Sequence, residues 1–466
     1  MIAEPVSLRN RSQDWRWVGI FLLVSALLGL GLMVIPAYWV MAALIGLVAL
    51  GYLALNPDKV FYLAIFTIPF TDRVRVLPIS FSLNELVILY CAVVCFLHMV
   101  LRRRWASLRT GLDAWLVVLT IMFFLAGYFS ESDSGLLGFF KIFEGIIMYY
   151  LAVWLIRTHQ ITRATVIKAL LITTLSQALL GIFQSLTGIG ANFHSNRGYL
   201  GYLGLGSSSV WHGRGTTWHF NTLGNFLATN LLIFMPIYLY LVKRKKWGLF
   251  LGGIIMLGLI TTYSRGSLLG LASGVIFFLA AVQSDWKRAI LFVGAFILLV
   301  MPVVLFFSNS SYVETVGFND RLYIWQVPIA AITSSDKAFW LGSGLNSYSV
   351  AAWPYIPAWV PPEQFQNWFA HNFYLLTVVE VGVIGAIIFF GFLIWLWIDT
   401  WRKYKMWHGF MSVYSLSISV ALVTVFFVSI FDHTFAAPHF KVFLFLILGL
   451  LYVKRPSNGQ RFQVES

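Results

Sequence analysis

The chain has 466 residues, of which 59% are hydrophobic and only 11% charged, and its mean hydropathy is +0.81. Ordinary soluble proteins are about a quarter charged. The composition therefore excludes a soluble enzyme, a disordered chain and a secreted disulfide scaffold, and points to a chain whose solvent is mostly lipid. The formal charge of +14 is no argument for nucleic acid, because membrane proteins concentrate Lys and Arg in their cytoplasmic loops.

A spanning helix needs roughly 20 mostly apolar residues. In chain order, candidate spans run over 17–35, 38–55, 60–70, 83–101, 113–129, 139–156, 164–188, 221–242, 247–263, 266–282, 289–307, 372–398, 409–430 and 438–453. The pattern predicts an all-α polytopic membrane protein with twelve to fourteen transmembrane helices, fourteen being the best count. The run 60–70 is short and meets Pro69, so it reads as a partial or tilted helix. The first run is expected to be a span and not a cleaved signal peptide, since it is long and lacks a small-residue cleavage site. Cys91 and Cys95, four apart in one apolar run, share a helix face and imply no redox or zinc role.

With a cytoplasmic N-terminus, the cations gather in inner segments such as 102–109, 243–246, 402–405 and 454–461. The outer segments keep Arg73, Arg75, Arg197, Arg214, Arg265, Arg321 and Lys337. This bias favours an even number of crossings. Two outer segments are long, 189–220 and 308–370. The expected organisation is a transmembrane bundle over 1–307, a periplasmic loop with amphipathic helices over 308–370, and C-terminal transmembrane helices with a cytoplasmic tail over 371–466.

Few outer residues are basic, which makes each informative. Arg214 lies in Trp211-His212-Gly213-Arg214-Gly215-Thr216-Thr217-Trp218-His219-Phe220-Asn221, and Arg265 in Thr262-Tyr263-Ser264-Arg265-Gly266-Ser267. Each precedes a helix running inward. A helix start carries free N–H groups and positive dipole, and a guanidinium adds a fork that matches phosphate oxygens. The flanking glycines allow close backbone approach. Alone, either arginine would read as snorkelling to lipid phosphate; two at one membrane face point to a phosphate or diphosphate site. Arg321 is a weaker third candidate, on an amphipathic surface helix with apolar or aromatic residues at 318, 322, 325 and 329. Arg197, Ser264 and His219 are further candidates near the same ligand.

His371-Asn372 opens the span after the long outer loop. An isolated interfacial histidine usually satisfies helix-start N–H groups. Beside arginines at the same face, His371 becomes a candidate general base, with Asn372 orienting it or binding a hydroxyl. Gly382, about three turns on, is expected on the same helix face. Glu380 reads as structural, paired with a cation such as Lys441. There is no HExxH, no Cys/His cluster in sequence, no outer DxD, no Walker motif and no GxSxG. Any leaving-group activation thus falls to the arginines.

These segments resemble the O-antigen ligase and polymerase superfamily of bacterial inner-membrane proteins. Arg214-Gly215-Thr216 followed by Asn221 and Gly224 is similar to its Arg-Gly-Thr…Asn-x-x-Gly segment, and Thr262 to Ser267 to its Thr-x-Ser-Arg-Gly-(Ala/Ser) segment. His371-Asn372-x-x-Leu375 with Gly382 matches the ligases' most specific pattern, and Gly342-Ser343-Gly344 with Tyr348 is similar to the end of the family's surface helix. One departure is Trp218-His219-Phe220, where small residues and proline are usual. The likeness covers roughly 200–400, and the earlier spans match in hydropathy only. It implies a GT-C-like fold in a Gram-negative inner membrane with both termini cytoplasmic. It implies transfer of a polysaccharide from undecaprenyl diphosphate to a lipid A–core sugar hydroxyl at the periplasmic face, without metal, nucleotide or other cofactor. His371, Arg265 and Arg214 would be catalytic; Arg321, Asn372, Ser264, Arg197 and His219 would bind substrate. A polymerase of the same superfamily is the nearest alternative. A lipid-linked-glycan transporter is another, although it would carry mid-bilayer charges and broken helices. Transfer to a protein side chain ranks below both.

Overall fold

The computed structural model describes residues 37–71, 73–76, 79–103, 106–194, 210–241, 245–283, 294, 318–357 and 370–453. The chain divides into two compact units, 1–60 and 61–466. The first contains α1 (Ala37–Leu55) and the opening turn of α2 (Pro57–Thr67). The second continues through α3 (Leu83–Leu101), α4 (Asp113–Tyr128), α5 (Gly135–Arg157), α6 (Arg163–Thr187), α7 (Phe220–Leu241), α8 (Lys245–Ile260) and α9 (Arg265–Val282). Three short helices follow, α10 (Phe318–Ile332), α11 (Asp336–Leu341) and α12 (Tyr348–Ala352), and then α13 (Phe373–Met406), α14 (Phe410–Val428) and α15 (Pro438–Tyr452).

Among the described residues, seven helices are long and apolar enough to cross a membrane, and four shorter helices are apolar. The protein is thus a polytopic, mostly helical membrane protein. Each expected span that falls in the described residues has a helix; 17–35 and, apart from Gly294, 289–307 lie outside them. Two small antiparallel pairs add to the helices, Arg73–Val76 with Ile79–Ser82 and Asn192–His194 with Val210–His212.

Local chemistry starts the helices. Ser82 and Glu85 form a capping box at α3, and Thr162 with Thr165 does the same at α6. Large apolar side chains such as Leu89, Phe96, Leu179 and Ile387 stay exposed, as lipid-facing residues do. Where α7, α9, α13 and α14 meet, the buried apolar core also contains small and hydroxylated residues, which permit close helix packing. A Cβ on Gly224 of α7 would come within 2.6 Å of Ser267 Oγ on α9. Thr424 Oγ1 of α14 donates to the Gly270 carbonyl of α9 at 2.9 Å, and Ser419 Oγ donates to Thr400 Oγ1 of α13 at 2.8 Å. Cys91 and Cys95 are free and buried, with sulfurs 4.0 Å apart.

One expectation needs correction. His371 and Gly382 do not share a continuous helix face. His371 precedes the helix, and Gly382 breaks it with φ +68° and ψ 179°. The side chains of 318 and 322, part of the expected stripe on α10, lie outside the described residues; in its described part Ile324, Val327, Pro328, Ala331 and Ile332 are buried and Ile329 is exposed. The reason is packing. Val327, Ala331 and Ile332 join Tyr348, Ala352, Ala370, Leu376 and Val379 in one apolar cluster, so α10 docks on α12 and the start of α13.

Candidate functional site

The site begins at the entrance to α13. Ala370 is fully buried in the apolar cluster beneath it. His371 follows with φ +43°, a left-handed conformation that costs a non-glycine residue about 1–3 kcal/mol. Asn372 then caps α13: its Oδ1 accepts the Leu375 N–H at 3.0 Å. The Phe373 N–H donates to the Ser429 carbonyl at 2.8 Å, tying this corner to the end of α14. The first role of Asn372 is therefore to set the backbone that presents His371.

That junction brings two further residues to His371. The His371 and His433 rings lie 5.2 Å apart, edge to face. Asp432 is buried, and its Oδ1 lies 3.7 Å from His433 Nδ1. One ligand-type atom from each of His371, Asp432 and His433 falls within 4.8 Å of the others. Burial holds the His433 imidazole below its ordinary pKa, and the Asp432 carboxylate beside it raises it in part. Two imidazoles and a carboxylate at this spacing can pass and stabilise a proton, or ligate a divalent cation.

A polar chain links this cluster to the second motif. Asn225 of α7 donates from Nδ2 to Asp432 Oδ2 at 3.4 Å, and its Oδ1 accepts from Ser267 Oγ at 2.7 Å. Ser267 Oγ lies 2.7 Å from Ser264 Oγ, and Ser264 caps α9. Arg265 is the first residue of that helix. The openings of α7, α9 and α13 thus meet at one end of the bundle: side-chain contacts run from Ser264, next to Arg265, through Ser267 and Asn225 to Asp432, which has His371 within 4.8 Å.

The Arg214 loop joins the same turn. The Gly213 N–H donates to the Thr261 carbonyl at 3.0 Å, and His212 Nδ1 lies 3.1 Å from the Thr262 carbonyl oxygen. Gln184 Oε1 accepts the N–H groups of Arg214 and Gly215 at 2.9 and 2.7 Å. Only glycine fits at 213, where a Cβ would lie 2.4 Å from the Gly181 carbonyl oxygen. The Arg214 guanidinium donates from Nε to the Gly190 carbonyl at 2.8 Å and from Nη1 to that of Thr217 at 3.0 Å. Arg214 therefore braces this loop. His219 Nδ1 accepts the Asn221 N–H at 3.1 Å and so helps to open α7. The Arg321 backbone lies on α10, its side chain outside the described residues, and Arg197 lies outside them altogether.

The break at Gly382 has its own partner. It frees the carbonyls of Val379 and Glu380, which accept the N–H groups of Ser343 and Gly344 at 2.8 and 2.9 Å. The Glu380 carboxylate accepts the Asn346 N–H at 3.0 Å. The Gly-Ser-Gly segment and the glycine of the histidine motif are thus two halves of one joint, which holds the surface helices over α13. Glu380, Lys441 and His433 also border a chamber of about 670 Å³.

Asp432 and His433 carry no motif in the sequence. The signal available was their place at the end of the apolar run that follows α13. Residues 248–390 match the family model described as O-antigen ligase. That stretch contains Arg265, His371 and Gly382, while Arg214 and Asp432 lie outside it. No curated protein matches the chain. Over residues 248–390 the chain is O-antigen ligase-like.

Proposed function

We propose that the protein is an O-antigen ligase-type glycosyltransferase working at the periplasmic face of a Gram-negative inner membrane, with both termini cytoplasmic. The donor is a polysaccharide on undecaprenyl diphosphate, and the acceptor a sugar hydroxyl of lipid A–core oligosaccharide. His371 takes the proton from the acceptor hydroxyl. The acceptor oxygen attacks the anomeric carbon from the face opposite the diphosphate. A new carbon–oxygen bond forms as the bond to the diphosphate breaks, so the anomeric configuration inverts. Arg265 and the positive dipole at the start of α9 stabilise the departing charge, with Arg214 and Arg321 assisting. The Asp432 carboxylate stabilises the imidazolium formed on His371. Neither nucleotide nor metal is needed.

The observation that carries this reading is the polar chain from Ser264, next to Arg265, through Ser267 and Asn225 to Asp432 and His371. It joins a candidate base to a cationic helix start. The test is purified protein with undecaprenyl-diphosphate-linked O-antigen and lipid A–core glycolipid, with and without chelator, scored by mass spectrometry. A new glycosidic bond is expected in both conditions; no product in either overturns the reading, and loss with chelator assigns a metal to the histidine–aspartate cluster. A deletion strain separates ligase from polymerase. Long chains held on the carrier lipid indicate the ligase; single repeat units indicate the polymerase.

A further inference from the structure

We infer that the chamber beside His433 is the acceptor-sugar pocket, with Trp218 as its stacking platform and Tyr348 and His439 as its hydroxyl-reading groups. This rests on the glycosyl-transfer reading and assigns the half of the reaction that the motifs leave unspecified.

The chamber measures about 670 Å³, within the ~300–1,000 Å³ of typical ligand sites. Its wall is made by the openings of α3, α5, α7, α13 and α15 together with α12. One end is His433, which is packed on His371. Among the described residues lining it there is no arginine. Its charged lining residues are Glu85, Lys141, Glu380 and Lys441, and it reaches the His433 side of the His371–His433 pair. An acceptor must reach the base from a direction that the leaving group does not occupy, and the chamber supplies it.

Its lining suits a saccharide. Trp218 is 48% exposed and borders the chamber. Its backbone is held by Thr71, whose Oγ1 accepts the Trp218 N–H at 2.9 Å. A fixed, half-open indole above a polar space offers the flat apolar face on which the C–H side of a pyranose packs. Tyr348 and His439 also line the chamber. Each is more than nine-tenths buried, and Tyr348 Oη and His439 Nε2 have no hydrogen-bond partner. A buried polar atom without a partner costs about 1–3 kcal/mol, a cost that a ligand hydroxyl removes, since a hydroxyl both donates and accepts. Asn346, bordering the same space, adds an amide. Two unsatisfied polar groups, an aromatic face and the charged acceptors and donors Glu85, Lys141, Glu380 and Lys441 in one cavity suit a hydroxyl-rich ring.

The test uses the full-length protein in nanodiscs with Trp218→Ala and the near-isosteric Tyr348→Phe. Core oligosaccharide freed of lipid A is the binding probe, read by saturation-transfer NMR. Transfer kinetics with lipid A–core glycolipid are the second arm. Expected are saturation of the sugar by wild type and its weakening in both variants. The acceptor KM should rise about tenfold in Trp218→Ala and about three- to tenfold in Tyr348→Phe, without a matching rise in donor KM. No saturation by wild type, wild-type acceptor KM in both variants, or donor KM rising in step with acceptor KM overturns the assignment. Saturation that both variants weaken, in a protein that forms no glycosidic bond, keeps the pocket and rejects the transferase reading instead.

Discussion

At the scale of single residues, the site depends on how His371 is held. A left-handed backbone, a capping asparagine and a buried carboxylate nearby all act on one imidazole. Arg265→Ala should lower transfer by about 10²–10³-fold, the usual effect of losing one preorganised donor. Arg265→Lys should also be impaired, because an ammonium lacks the bidentate fork; a full-rate lysine variant in the reconstituted assay would remove the phosphate role. His433 gives a pH test. Burial depresses its pKa in the folded protein, so the unfolded chain takes up the proton first, near pH ~6.5. Acidification through that value therefore costs stability. The melting temperature should fall between pH ~7 and ~5.5, and fall less in His433→Gln; equal slopes would contradict it. Arg265 and His371 were legible as residues because a cation on the side that the charge bias marks as outer, and a histidine at a helix start, are unusual. Asp432 and His433 were not, because their meaning comes from a contact between helices whose distance along the chain conceals it.

At the scale of elements, two motifs turn out to be joints. Gly382 was legible as a position needing glycine, but not why: the helix breaks there to take the backbone of Gly342 to Gly344. A helical period assumes an unbroken helix, so it could not foresee this. In Gly382→Ala the new Cβ would lie 2.4 Å from the Trp340 carbonyl oxygen, at a φ of +68°. The expected destabilisation is about 2 kcal/mol or more, seen as a lowered melting temperature in detergent; wild-type melting would show that the joint is dispensable. Asn372→Ala should cost about 1 kcal/mol from the lost cap. It should also lower transfer, because the cap fixes the backbone of His371. On α10 the α12–α13 corner decides which apolar residues are buried, a partner that the period of the helix alone does not reveal.

Across the whole molecule, the hydropathy pattern located the helices well, because lipid demands long apolar runs whatever the tertiary contacts. It could not place loops against one another. The structure does so through the openings of α7, α9 and α13, which gather the three motifs at one end of the bundle. Arg214 shows how such gathering can divide roles. The guanidinium grips the carbonyls of Gly190 and Thr217, so Arg214→Ala should loosen the loop as well as slow the reaction. Partial proteolysis within 189–220 should then be faster than in wild type; an unchanged digestion rate would assign the arginine to the ligand alone.

The central claim is that the Arg265 end and the His371 end of the polar chain act on one transition state. Single-turnover cleavage of lipid-linked donor in the presence of acceptor tests it through Arg265→Ala, His371→Ala and the double variant. Residues acting as a unit are strongly non-additive. The double variant is predicted to be about as slow as the slower single variant, whereas losses that multiply would mean that the two residues work independently and would contradict a shared site.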